Sequence, residues 1–132
     1  MKRKLYIVPR MIFECNFSGF KEPEMVKTER PVIVISSKEQ NKRGLCTIVC
    51  VSTSAPNPVE EHHHRLKEDY QLRAFTADSW VKCDMVYRVS HDRLTSPLLH
   101  TGARHTKKVS IKEYNEIMKC VLSTLTLESI PT

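Results

Sequence analysis

Hydrophobic and polar positions along this chain alternate in short blocks, which predicts strands for most of its length and one helix at its end. Val32 to Ile35 is an unbroken β-branched run, suited to a strand covered on both faces. Pro31 disfavours the helical region for Arg30 and makes that arginine an extended entry to the strand. A second run, Thr47 to Thr53, breaks at Ala55-Pro56-Asn57-Pro58, and the charged segment from Ser37 to Gly44 makes a short hairpin connection between the two. Further strands are predicted near Met11 to Asn16, at His63 to Leu66, from Trp80 to Ser90 with a bend, and at Lys108-Val109. Ser18 to Glu29 is polar and reads as a long loop of the kind that often binds something. Residues 95 to 108, with Pro97 and Gly102, read as irregular.

The end of the chain changes period. Ser110 and Glu113 form an S-x-x-E capping box, and Ile111, Tyr114, Ile117, Met118, Val121, Leu122 and Leu125 recur at three- and four-residue steps. This predicts a helix over about 110–127 with one apolar face lying on the sheet. Five to seven short strands closing into a small barrel, plus one terminal helix, is an α+β fold.

Composition adds bounds. With 132 residues the chain makes a single domain spanning 1–132, with a modest core. The chain contains no apolar run of membrane-spanning length and no signal-peptide pattern at its start, which points to a cytoplasmic protein that does not enter a membrane. Five cysteines without zinc-like spacing read as buried thiols in a reducing compartment. Net charge is +6, and residues 1 to 54 carry most of it, with ten Lys and Arg against five acids. An anionic partner met by the first half fits that asymmetry, as does a plain solvated basic surface. Few aromatics argue against a platform that stacks several bases.

An arginine at the start of one strand and a hydroxyl at the end of its antiparallel neighbour can sit side by side, and that pair suits a phosphodiester. Between Trp80 and Val86, strand periodicity puts Trp80, Lys82, Asp84 and Val86 on one face and Val81, Cys83, Met85 and Tyr87 on the other. Lys82 and Asp84 are then about 7 Å apart, which an ordinary solvent face also explains. In His62-His63-His64, alternation lets at most His62 and His64 share a ligand set, and no recognised metal spacing follows, so no metal and no cofactor are expected. A histidine near a nucleic-acid groove could contact phosphate or help in proton transfer. The chain contains no nucleophile elbow, and with three glycines it contains no phosphate-cradling loop.

Arg30-Pro31-Val32-Ile33-Val34-Ile35, the strand ending in Thr53, the segment Asp78 to Asp84 with its continuation to Arg93-Leu94, and the terminal helix resemble the MazF/PemK toxin ribonucleases of type II toxin–antitoxin systems. The resemblance covers roughly residues 9 to 127 and implies an SH3-like barrel. It makes Arg30 the family's catalytic arginine and Thr53 the catalytic threonine of the MazF branch. The Kid branch carries Arg-Cys-Asp where this chain has Lys82-Cys83-Asp84, which implies catalytic roles for Asp84 and Lys82. Lys27, Ser52, His62 and His64 are the RNA-binding candidates, from the loops expected to flank the site. The implied activity is metal-independent cleavage of single-stranded RNA by 2′-hydroxyl attack, in a homodimer inhibited by a cognate antitoxin. Two departures stand out. The family's Arg-Gly-Asp start is Arg10-Met11-Ile12 here, and its glycine-rich loop before the arginine is Glu22 to Glu29. The related CcdB toxins bind a protein target with the same fold, so a binding module without nuclease activity is the alternative.

Overall fold

The computed structural model describes residues 6–75 and 78–125. Seven strands and one helix follow in order: β1 (Met11–Asn16), β2 (Glu29–Val34), β3 (Leu45–Ser52), β4 (His63–Arg65), β5 (Trp80–Ser90), β6 (Leu94–Thr95), β7 (Lys107–Lys108) and α1 (Ile111–Ser123). The pairings are antiparallel, with strand order β4-β5-β3-β2-β1-β6 and β7 also on β1. The sheet curls into a half-barrel with α1 against it, the α+β architecture expected. Among the described residues no helix is long and apolar enough to cross a membrane.

Two cores lie on the two faces of this sheet. One gathers Phe13, Cys15, Val32, Val34, Cys46, Ile48, Cys50 and Val89. The other gathers Ile12, Ile33, Val49, Val51, Val81 and Cys83 beneath Ile117 and Val121 of α1. Central strands therefore need apolar side chains at every position, which is why Val32, Ile33 and Val34 are all fully buried.

β5 corrects the expected face assignment. Cys50 pairs with Lys82, but the preceding Val49 pairs with Val86, so Cys83, Asp84 and Met85 are extra residues in the ladder. An odd number of extra residues reverses which face each following side chain takes. Val81 and Cys83 thus enter the helix-side core, while Met85, Tyr87 and Val89 pack with the opposite one. The four do not share a face.

The segment from Ser37 to Gly44 holds a 3₁₀ turn at Gln40–Arg43, closed by Gly44 at φ 78°. Asn41 is buried there, and its amide nitrogen donates to Ile7 O at 3.0 Å and Ser36 O at 3.1 Å. The β7 strand lies one residue earlier than expected.

The helix starts where the capping box places it, with Ser110 Oγ accepting from the Glu113 N–H at 3.2 Å. Thr124 caps its end, so Leu125 falls beyond it, and residues 126 and 127 of the expected helix lie outside the described residues. Its buried side is rotated from the expected one. Glu113, Ile117 and Val121 point inward, while Ile111 and Leu122 are exposed. The cause is the Glu113 carboxyl group, which accepts from the Lys67 N–H at 2.7 Å and the Tyr70 hydroxyl at 2.6 Å, and lies 3.1 Å from His64 Nε2. Tyr70 also accepts from Ser110 N–H at 3.2 Å, completing by relay the half of the capping box that Glu113 does not make itself.

Candidate nucleic-acid site

β2 and β3 part where the candidate residues lie. Their ladder reaches only Val32 opposite Cys50. Beyond that point β2 continues to pair β1 as far as Glu29, and β3 continues to pair β5 as far as Ser52. Pro31, which has no N–H to donate, sits at the divergence. Arg30 stands on one side of the opening. Ser52 and Lys82 stand on the other, both in register with the face that carries Cys50.

Arg30 is half-buried, its Nη1 is 3.8 Å from Met85 Sδ, and its Nε is buried with no hydrogen-bond partner among the described residues. A buried donor left unsatisfied costs about 1–3 kcal/mol, so such a group in a folded protein calls for a ligand or a functional reason. Beneath it, burial pushes the Cys50 thiol up to about 12 against the opposing pull of the Arg30 and Lys82 charges. Burial also raises the Tyr87 hydroxyl, with Arg30 opposing and Asp84 adding to the shift. Arg30, Lys82 and Asp84 therefore act on one small region, centred on Cys50, Met85 and Tyr87.

Asp84 sits in the bulge and is exposed. Its Oδ2 is 3.5 Å from His62 Nε2, and His62 Nδ1 is 3.6 Å from Glu60 Oε2. His63 pairs with Lys82 across β4 and β5, and its ring packs on that of His62 with centroids 4.2 Å apart. The histidine arrangement differs from simple alternation because His62 lies in the turn before β4. His62 and His63 therefore gather with Asp84, while His64 is on the helix side beside buried Glu113.

Thr53 is half-buried and lies one residue past the end of β3, after Ser52, whose hydroxyl donates to Ser54 O at 2.9 Å. By register it is Ser52 that shares the face of Arg30. Lys27 is exposed in the 18–29 loop. That loop is fastened beside the site by contacts the sequence pattern did not disclose. Met25 is buried, Phe20 and Tyr87 pack edge-on around Phe17, and the Tyr87 hydroxyl donates to Glu24 O. Arg93 donates to Asn16 O at 2.8 Å and Ser18 O at 2.9 Å, holding the start of the loop.

Two clusters bring three potential cation ligands within 4.8 Å: His62, His63 and Asp84, and His64, Glu113 and Glu116. Each is engaged by the protein's own donors. In the first, His63 Nδ1 accepts from the Glu60 N–H at 2.9 Å, which leaves its proton on Nε2. In the second, Lys67 Nζ lies 3.0 Å from Glu116, and Glu113 already takes the Lys67 N–H and the Tyr70 hydroxyl.

The curled antiparallel sheet thus carries a terminal helix and opens beside an arginine at the start of a strand. Residues 9–125 match the family described as PemK-like, MazF-like toxin of type II toxin–antitoxin system, and the chain belongs to that family. No protein of curated function matches it in sequence. Among solved structures it is similar to an endoribonuclease in complex with its cognate antitoxin from a mycobacterial species, at 14% identity and TM-score 0.67, covering 94% of this chain and 99% of that one. A second mycobacterial endoribonuclease is similar at 12% identity and TM-score 0.65, with 92% and 93% covered. MazF from Deinococcus radiodurans is similar at 15% identity and TM-score 0.65, with 92% and 97% covered. Likeness at such identities carries the fold; the chemistry rests on the site.

Proposed function

We propose that this protein is an endoribonuclease toxin that cuts single-stranded RNA without a metal ion. The 2′-hydroxyl attacks the adjacent phosphorus, leaving a 2′,3′-cyclic phosphate and a 5′-hydroxyl. One observation carries the reading: Arg30 offers a buried Nε, without a partner among the described residues, at the opening between β2 and β3. A phosphate oxygen there would satisfy it, and the planar guanidinium suits the charge that grows on the phosphorane. Lys82, across the opening, adds a second cation, and Asp84 is the carboxylate that takes the 2′-hydroxyl proton. Thr53 and Ser52 are donors to phosphate. Lys27, from the fastened loop, and His62 extend the contact to flanking nucleotides, while His64 would reach RNA only from the helix-side face.

The family and the similar mycobacterial endoribonuclease in complex with its cognate antitoxin support an acidic antitoxin segment as partner, lying over the basic opening. The working form is a homodimer in the cytoplasm, which sedimentation at about twice 15.3 kDa would support and a monomer at micromolar concentration would overturn.

The decisive experiment is incubation of the purified protein with a long RNA in excess EDTA. Cleavage to products with cyclic-phosphate ends is expected. Cleavage that stops in EDTA and returns with zinc or magnesium would overturn the mechanism. Absence of cleavage under any condition would leave a CcdB-like binding module.

A further inference from the structure

His62 is held in a way that simple phosphate contact does not require. A carboxylate stands at each of its ring nitrogens, Glu60 at 3.6 Å from Nδ1 and Asp84 at 3.5 Å from Nε2. Its carbonyl accepts from the Cys83 N–H at 2.9 Å, which ties the turn to the bulge that presents Asp84. The Cys120 thiol of α1 donates to the neighbouring Glu61 O at 3.3 Å. Among the described residues, the charged and titratable groups facing His62 are therefore Glu60, Asp84 and His63, with Lys82 across the strand from His63.

The two adjacent histidines are not equivalent. His63 spends Nδ1 on the Glu60 N–H, and burial, then the neighbouring His62, lowers its pKa, so it stays neutral near neutral pH. His62 has carboxylates where His63 has a backbone donor. Of the pair, His62 is the one placed to carry a transferable proton.

The reaction also needs a proton donor. The departing 5′-oxygen is a poor leaving group unless protonated as the bond breaks. Arg30 does not give up its proton in a protein.

We propose that His62 is the general acid of the site, protonating the 5′-oxygen, while Asp84 accepts the 2′-hydroxyl proton and Glu60 is a positioning residue that holds the His62 ring. This rests on the ribonuclease reading above. The 2′-O–P bond forms and the P–O5′ bond breaks. The 2′-hydroxyl proton moves to the Asp84 carboxylate, and the His62 proton moves to the leaving oxygen. Protonated Asp84 then returns its proton to His62 across their 3.5 Å separation, so the pair resets with no net gain or loss.

The test is single-turnover cleavage of one short RNA and of the same RNA with sulfur in place of the bridging 5′-oxygen, by wild type, His62→Ala and Glu60→Gln, each shown by thermal melting to be folded. A thiolate leaves without protonation. His62→Ala should therefore slow the oxygen substrate by about 10²–10⁴-fold and leave the sulfur substrate within a few-fold of wild type. Added imidazole should restore part of the lost rate on the oxygen substrate. Glu60→Gln should cost about tenfold or less on the oxygen substrate and leave the sulfur substrate within a few-fold of wild type, because the ring that delivers the proton is then less firmly held. Equal loss on both substrates, or an oxygen rate unchanged by His62→Ala, would overturn the assignment while leaving the ribonuclease reading in place. A wild-type protein that cleaves neither substrate would overturn that reading and this inference together.

Discussion

The guanidinium of Arg30 meets the sulfur of Met85 at 3.8 Å, a soft and weak acceptor, while its Nε finds no partner among the described residues. An arginine selected for stability would end in a carboxylate or a row of carbonyls. This one is held half-buried against a thioether at the edge of an opening, a placement that costs folding energy and keeps the charge available.

Function and stability should therefore respond to Arg30 in opposite directions. Arg30→Met should reduce single-turnover RNA cleavage by about 10²–10³-fold, as for loss of an oxyanion-type donor. Its melting temperature should equal or exceed that of wild type, because a buried unsatisfied donor has been removed. Arg30→Lys should recover little, since the planar fork is lost. Cleavage by Arg30→Met at near the wild-type rate would place the chemistry elsewhere.

The two hydroxyls at the end of β3 should separate by rate. A neutral hydrogen bond contributes roughly 0.5–1.5 kcal/mol, so Thr53→Val or Ser52→Ala should each cost about tenfold or less. Register puts Ser52 on the face of Arg30, whereas resemblance points to Thr53. Parallel rate measurements on the two variants decide between them; a loss beyond a hundredfold for either would mean it does more than orient phosphate.

Glu113 should be the costliest polar residue to remove. Glu113→Ala leaves the Tyr70 hydroxyl and the Lys67 N–H without their acceptor, at about 1–3 kcal/mol for each orphaned group. Urea denaturation of Glu113→Ala and Tyr70→Phe should show the first to be the more damaging. A loss below about 1 kcal/mol for Glu113→Ala would count against the network as the anchor of α1.

Stability should fall on the alkaline side. An unfolded thiol releases its proton near 9.0, but burial holds those of Cys15, Cys46 and Cys50 to about 12, about 11 and about 12. These raised values mean that the contribution is fully present below pH 9 and is lost as pH climbs toward the folded values. Each thiol should remove about 1.4 kcal/mol per pH unit over that window. Denaturation midpoints measured across it, for wild type and for Cys46→Ala, should differ in slope with the variant less steep. Parallel slopes would show that the thiol does not drive the loss.

Much of the fold was legible in the chain, because strands and helices announce themselves through local periodicity. Met11–Asn16 and Trp80–Ser90 fall where alternation put them, and the Ser110 cap opens α1 as its spacing required. The four most buried cysteines lie in the strands that their apolar surroundings indicated, and all five are free thiols. What no local pattern could supply is pairing between distant strands. Three surplus residues in β5 become visible only against β3, and they alone move Met85 to the side of Arg30 and Val81 to the side of α1. The inward turn of Glu113 likewise depends on Tyr70 and Lys67, more than forty residues away in sequence. His62 looked like one member of a histidine run until the turn before β4 set it between Glu60 and Asp84. Periodicity follows from the geometry of one backbone, so sequence by itself determined the elements. The site is a set of distances between backbones, and those only the folded sheet decided.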